Sequence, residues 1–322
     1  MSAIKVFAFD YASGGGDSGA AGAALPDSLK HQGRILLGAL LADLAELPQV
    51  ELITISDPSL FGLRFDACLQ AADAVWPLAP EAGGLLERLS RQVLDHNRIL
   101  LGSKPDALRV AASKLRTARV LATAGVAVVS TYTQDQELPD WSGAWVVKPD
   151  DGAGCLNTRI FPDAEAALAW IAACGETGYV LQPFIQGKLG SLSLLCCDGD
   201  AHLLSCNEQR IAVRDNEFHF LGTIVNSLSD DAGLFARLAQ AVATAIPGLW
   251  GHVGVDFVNA EGGVVVLEVN PRMTTSYCGL HASIGCNPAA LVLDLLERRG
   301  GAPHARAKPV AVSVDMATFG SA

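Results

Sequence analysis

Clustered basic residues are missing from this chain, in which 23 Lys+Arg stand against 34 Asp+Glu among 322 residues, a formal charge of −11. Phosphate backbones are gripped by grouped cations, so no nucleic-acid partner is expected. Apolar runs are short as well. None reaches the roughly 18 residues of a membrane span, so no membrane partner is expected either. The eight cysteines include no C-x-x-C pair, and buried free thiols in a reducing cytosol are the expected state. Cys196 and Cys197 are neighbours and should point to opposite faces of one strand. The opening stretch MSAIKVFAFDYASGGG lacks the apolar core and cleavage site of a signal peptide, so a cytoplasmic location is expected. The loop after its first strand lacks the G-x-G-x-x-G spacing between Gly14 and Gly19. No acidic residue follows the second strand in the matching role, which argues against a nicotinamide site. Internal repeats and low-complexity segments are absent too.

What is present is a chain half hydrophobic, with 32 Gly and 15 Pro, long enough for two or three compact units. Its first hundred residues alternate strand and helix patterns. IKVFAFDY, VELITIS, ADAVWPLAP and RILLGS read as strands, with helical spacing from Leu25 to Leu47 and in EAGGLLERLSRQVLDHN. Such alternation predicts a parallel, doubly wound sheet. From Ser103 the texture changes to two short helices, then a strand after Gly125. AWVV and TRIF form a hairpin around a long polar loop. A helix near 163 to 174 and the strand GYVLQPFI follow. Two strands meet at the turn Asp198-Gly199-Asp200, then come a helix in DDAGLFARLAQAVATAI and a last hairpin. KPVAVSVDM is a candidate edge strand.

That last hairpin carries the chemistry. Opposed residues of an antiparallel pair share a face. Val253, Val255 and Phe257 on one strand and Val265, Leu267 and Val269 on the other are apolar, which requires an even pairing sum. A turn centred on Gly262 then sets Asp256 opposite Glu268, and Asn270 opposite Gly254. Like charges directly opposed destabilise a sheet. Two carboxylates and an amide oxygen on one face make sense around a hard divalent cation, for which Mg²⁺ is the expected ion. A solvated face with two unrelated acids is the plainer alternative. Lys148 ends AWVV and precedes the loop DDGAG, where a point charge and backbone N–H groups can meet phosphates. No G-K-[ST] follows, so this is not a Walker loop. By itself Lys114, in AASKLRT, reads as a helix-surface lysine.

Taken in order, these pieces resemble the ATP-grasp superfamily. They are Lys114, then Lys148 before its Gly loop, the hinge VLQPFIQGK, and GVDF followed by LEVNPR. The resemblance covers about residues 100 to 290 and implies an α/β ATP-grasp fold preceded by a Rossmann-like pre-ATP-grasp domain. The implied division is 1–103 for that first domain, 104–183 for the lid subdomain, and 184–322 for the C-terminal subdomain with the metal site. It further implies ATP bound by Lys114, Lys148, Gly152, Ala153, Gly154, Gln182, Phe184 and Ile185. One or two Mg²⁺, with Mn²⁺ as alternative, would sit on Asp256, Glu268 and Asn270, and Lys148 and Arg272 would be catalytic. Two positions depart from the family's pattern. Lys188 and Leu189 stand where a hinge acid often grips the ribose, and Ser113 stands where an Asp often precedes the first lysine.

FDYASGGG, CNEQRI and NPRMTTSYCGL more narrowly resemble the ATP-grasp ligases of methanofuran and methylofuran biosynthesis, which join glutamate to tyramine. This implies small-molecule carboxylate and amine substrates, linked through an acyl phosphate without an enzyme nucleophile. A glutamate donor would need cations and N–H groups against the acidic background. Arg272, Arg210, Thr274, Thr275 and Ser276 are the candidates, though an ordinary surface ion pair is the plainer role for Arg210. A capped turn leading into a helix is the plainer role of TTSY, and ordinary polar roles are expected for His252 and His281. A D-alanyl-D-alanine-like or other dipeptide ligase, and a nucleotide-binding regulator without turnover, are the alternatives. A homodimer is among the expected assemblies.

Overall fold

A computed structural model describes residues 3–15, 26–152, 154–175, 177–297 and 309–316. The first strands carry apolar residues at nearly every position, as a sheet buried on both faces requires. They are β1 (Ile4–Asp10), β2 (Val50–Ile53), β3 (Ala74–Leu78) and β4 (Ile99–Leu100), all parallel in the order β2-β1-β3-β4. Between them run α1 (Asp27–Ala45), α2 (Phe61–Ala71) and α3 (Leu85–Asp95). Helix α2 is an addition to the sequence reading. Its signal was present, because Phe61, Phe65 and Leu69 recur every fourth residue and all three are buried.

The next elements are α4 (Pro105–Ala111) and α5 (Lys114–Thr123), where the Ser113 side chain caps α5 by accepting the Arg116 N–H at 3.1 Å. The strand expected after Gly125 is not a regular one; only single bridges form there, Val128 to Val266 and Tyr132 to Leu181. A nine-stranded antiparallel sheet follows. It contains β5 (Trp145–Pro149), β6 (Arg159–Phe161), β7 (Tyr179–Pro183), β8 (Lys188–Cys197), β9 (Asp200–Arg214), β10 (Glu217–Val225), β11 (Gly251–Ala260) and β12 (Gly263–Asn270), with β13 (Val312–Asp315) pairing on β10. The strand order β12-β11-β8-β9-β10-β6-β5-β7 makes one surface from the acidic hairpin to the hinge. Helix α6 (Ala164–Cys174) starts on the Asp163 cap and stops at left-handed Gly175. Helices α7 (Leu234–Ala245), α8 (Tyr277–Ile284) and α9 (Pro288–Leu296) complete the chain. The turn after β8 is Asp198-Gly199, both residues left-handed as a tight hairpin demands.

The register of the last hairpin differs from expectation at its tip. Ala260 pairs with Gly263 and Phe257 with Val266, so Val266 rather than Val265 or Leu267 enters the core. A β-bulge between the Phe257 and Asp256 pairings then adds one residue on β12. Beyond it Asp256 does face Glu268, and Gly254 faces Asn270. A regular ladder drawn from the tip would have set Asp256 against Leu267. The bulge lets both Leu267 and Glu268 line the same cleft.

Cys196 is fully buried while Cys197 is partly exposed, as alternation requires. All eight cysteines are free, but only Cys196 and Cys206 are buried outright. Among the described residues no single helix is long and apolar enough to cross a membrane.

One core cluster ties the two sheets together, joining Leu36, Leu40 and Leu44 of α1 to Met273, Tyr277 and Leu280. His252 lies in this seam, stacked on Trp76 and edge-on to Tyr277, with Nε2 3.1 Å from the Pro288 carbonyl. Burial pushes its pKa down to about 4, so it is neutral in the folded chain and its Nε2–H donates to that carbonyl. An ordinary histidine in the unfolded chain takes a proton near pH 6.5. The folded-state pKa is the lower one, so this stability is present above pH 6.5 and is lost as pH falls toward 4. His252→Gln should therefore lose about 2 kcal/mol less stability than the parent between pH 7 and pH 5 in urea denaturation. Parallel losses in both proteins would show that His252 is not held neutral.

Candidate active site

The residue types that sequence reading singled out converge where the end of β12, the start of α5 and the loop after β5 meet. Lys114 is the first residue of α5, and it is buried rather than on the helix surface. Its N–H donates to the Asp150 carbonyl at 3.0 Å, and the Leu115 N–H donates to Asp150 Oδ1 at 2.8 Å. Its Nζ donates to the Gly152 carbonyl at 2.7 Å and lies 3.5 Å from Glu268 Oε2. Lys148 Nζ, from β5, approaches the same oxygen at 3.9 Å. The β5 loop is thus pinned by polar contacts, and Gly83 adds another by donating its N–H to Asp151 Oδ2 at 2.8 Å.

The acids answer to these cations unequally. Burial alone would raise Glu268, but Lys114 and Lys148 outweigh it and hold the carboxyl below its usual range. Asp256, desolvated in the same place and facing the charge on Glu268, is pushed up to about 8. Gln209 Nε2 donates to one Asp256 oxygen at 2.7 Å and Asn270 Nδ2 to the other at 3.1 Å. Gly254 has no side chain because Thr274 and Asn270 fill the space where its Cβ would lie. Two opposed carboxylates and the Asn270 carbonyl make an all-oxygen donor set, and an acid left with a raised pKa lacks a counter-charge. That chemistry fits a hard divalent cation held by Asp256, Glu268 and Asn270.

A cleft with about 1130 Å³ of free space, part of it open to solvent, runs from these groups along the sheet to the hinge. Lys114, Lys148, Gly152, Gly154, Gln182, Phe184 and Ile185 line it; Ala153 lies outside the described residues. Val146, Leu189, Ile211, Val213 and Phe218 give it apolar walls, as a flat heteroaromatic ring requires. The two hinge amides are not equivalent. Phe184 N–H already donates to the Ala144 carbonyl at 2.8 Å. Among the described residues the Ile185 N–H donates no backbone hydrogen bond. Gln182 is oriented by donating its Nε2–H to Thr131 Oγ1 at 2.9 Å. Leu189, at one of the positions where a ribose-binding acid was looked for, is an apolar wall of the cleft.

A second cavity, about 650 Å³, adjoins the first across Asp256, Glu268 and Gln209. Arg272, Thr274, Thr275, Ser276, Ser191 and Gln32 line it. Arg272 is fixed from outside it, with Nη2 donating to Glu81 Oε2 at 2.9 Å and Nε 2.8 Å from Glu81 Oε1. Ser276 is held by hydroxyl contacts to Ser193 at 2.8 Å and Thr274 at 2.9 Å.

Arg210 does not join this group. Its neighbour Gln209 points to Asp256, and alternation along β9 sends Arg210 to the other face. There it crosses over Gly222 to pair with Asp315 of β13. A side chain at Gly222 would meet the Arg210 guanidinium and the Val314 carbonyl, so the glycine makes room for the pair. Sequence reasoning also missed Glu81, Gln209 and Cys155, which borders both cavities. The Cys155 thiol is pushed up to about 12 by burial and by Glu268 and Asp256, so it stays protonated and is no nucleophile.

The cleft thus combines apolar walls, two lysines and a set of oxygen donors that fits a divalent cation. Residues 111–276 match the ATP-grasp domain, and residues 28–108 match the pre ATP-grasp 3 domain. The chain belongs to the ATP-grasp family. It is 34% identical over 131 residues to the tyramine–L-glutamate ligase of Methanocaldococcus jannaschii, a match spanning 38% of this chain and 40% of that protein. To the tyramine–L-glutamate ligase of Methanocaldococcus fervens it is 27% identical over 244 residues, covering 74% and 72% of the two chains. The crystal structure of an ATP-grasp superfamily protein from Archaeoglobus fulgidus superposes with a TM-score of 0.72 at 23% identity, over 97% of this chain and 99% of that one.

The raised pKa of Asp256 means that ion-free protein is fully supported by this group only below about pH 4. That support drains away as pH rises through about 8. Asp256→Asn should remove the like-charge opposition, stabilising the ion-free protein at pH 9 by about 1–2 kcal/mol. The gain should shrink toward pH 5, while calorimetric Mg²⁺ binding is lost. A variant that melts lower than the parent at pH 9 would show that the pair is not repulsive.

Proposed function

We propose that the protein is an ATP-dependent carboxylate–amine ligase that forms an amide through an acyl phosphate. The observation that carries this reading is the meeting of two cavities at Asp256 and Glu268, with Lys114 and Lys148 on one side and Arg272 on the other. The longer cleft takes ATP, its ring between the apolar walls and the Ile185 amide. Lys114 and Lys148, freed from Glu268 by the arriving anion, neutralise the phosphates. Asp256, Glu268 and Asn270 would hold Mg²⁺, which would supply charge neutralisation at the phosphates. The second cavity seats the donor acid against Arg272 and the hydroxyls of Thr274, Thr275 and Ser276. Its carboxylate oxygen attacks the γ-phosphorus and ADP departs. The amine nitrogen then attacks the acyl carbon, phosphate leaves, and an amide remains. The chain supplies positioning and charge, with no covalent enzyme intermediate.

The two relatives named tyramine–L-glutamate ligase support L-glutamate as donor and tyramine or a tyrosine-like amine as acceptor; the making of a methanofuran-type one-carbon cofactor rests on the resemblance of the short sequence stretches alone. Since Arg210 is on the other face, the second carboxylate of glutamate is met by the 274–276 hydroxyls, and Arg272 is left for the reacting carboxylate and the phosphoryl group it receives. With Mg²⁺ and ATP, adding L-glutamate and tyramine together should start ADP release and yield their amide by mass spectrometry. Lys148→Met should lower kcat/KM at least 100-fold, because it removes a charge that faces the transferred group. Binding of Mg·ATP without turnover on this pair would overturn the substrate assignment. Failure to bind Mg·ATP would overturn the whole reading.

A further inference from the structure

Arg272 ends the E-x-N-P-R element, yet its strongest partner lies 191 residues away in the N-terminal part of the chain. Glu81 stands just before α3, in a turn closed by Gly84 N–H donating to the Glu81 carbonyl at 2.9 Å. Its side chain is only 7% exposed, and that of Arg272 is 18% exposed. We infer that Glu81 is a positioning residue, which grips the Nε/Nη2 edge of Arg272 and aims the rest of the guanidinium at the group being transferred. This rests on the phosphoryl-transfer reading above.

A guanidinium has five N–H donors in a rigid plane. Here one Nη2–H goes to Glu81 Oε2 and one Nη1–H to the Met273 carbonyl at 3.1 Å, while Nε lies 2.8 Å from Glu81 Oε1 as an ion-pair contact without hydrogen-bond alignment. One N–H on each terminal nitrogen is left, and Arg272 borders the cavity shared with Asp256, Glu268 and Thr274. Donors of that kind match a phosphoryl or carboxylate group. Without Glu81 the nearest anions in the same cavity are Asp256 and Glu268, the residues that fit the cation. The arginine would turn onto them and compete with the ion. A buried ion pair is poor evidence for stability, because apolar residues of similar volume often serve as well. Its place at the wall of the second cavity, beside Asp256 and Glu268, is better explained by orientation. The same turn also touches the loop after β5, through Gly83 N–H donating to Asp151 Oδ2.

The test uses the full-length protein at saturating Mg²⁺, with ADP binding measured by calorimetry in the absence and presence of aluminium fluoride. The fluoride complex stands in for the phosphoryl group in transfer. Glu81→Gln keeps the volume and one acceptor oxygen. It should leave the Kd for ADP within twofold, yet reduce the tightening given by aluminium fluoride at least tenfold. In an Arg272→Gln background the same change should alter that tightening by less than twofold, since Glu81 acts only through Arg272. Should Glu81→Gln fail to fold, Glu81→Asp carries the test with an expected loss of at least threefold. Undiminished tightening in the Glu81 variant, equal losses in both backgrounds, or no tightening in the parent overturns the proposal. A parent that does not bind Mg·ADP refutes the phosphoryl-transfer reading itself, and this proposal falls with it.

Discussion

Two carboxylates facing each other across a hairpin are the constraint around which this site is arranged. Ionised together, Asp256 and Glu268 would repel; with the Asp256 pKa pushed up to about 8 the aspartic acid keeps its proton near neutrality, and four neighbouring elements bring a cation or a donor. Helix α5 contributes Lys114, β5 contributes Lys148, β9 contributes Gln209, and β12 contributes Asn270. At a separation near 4 Å a charge pair close to a protein surface is worth about 4 kcal/mol before desolvation is counted. No single lysine therefore has to cancel the repulsion. A bound divalent ion would relieve Asp256 most, because that acid gains least from the lysines.

The same balance explains why the lysines are useful. Both lie against Glu268, and Lys114 also holds the β5 loop, so a polyphosphate of the proposed kind would exchange one set of partners for another and meet no naked buried charge. Burial holds the Lys148 pKa down, with Glu268 working against that effect. A lysine in this position is a point charge that can move along its stem, whereas Arg272 is a rigid fork already held along one edge. Flexible cations line the longer cleft and a fixed one lines the second cavity, where the proposed reaction would seat the donor acid. That division suits a reaction in which phosphates arrive and leave while the acid must be held still.

Much of this could be read before any coordinates. The apolar runs of β1, β2 and β3 specify a parallel sheet because both of its faces are covered. The glycine and aspartate of the Asp198-Gly199 turn specify a hairpin because they accept left-handed backbone. Alternation along β11 and β12 pointed to Asp256 opposite Glu268, but the observed tip would set Asp256 against Leu267 in a regular ladder, and the β-bulge restores the pairing. Helix α2 was legible too, in its fourfold phenylalanine and leucine spacing, and went unread. The irregular stretch after Gly125 was not legible. Its apolar residues fit a strand as well as they fit an extended segment docked by single bridges.

What the sequence by itself determined was the local material: which segments pair, which lysines stand at element ends, and which carboxylates share a face. Those follow from periodicity and from backbone preferences acting over a few residues. Tertiary structure alone decided the rest. It turned Lys114 inward, spent the Phe184 amide on Ala144, sent Arg210 across Gly222 to Asp315, and brought Glu81 to Arg272. Each of these depends on which surfaces meet after the sheets have packed. A charged residue carries no mark of its partner when that partner lies a hundred or more residues away.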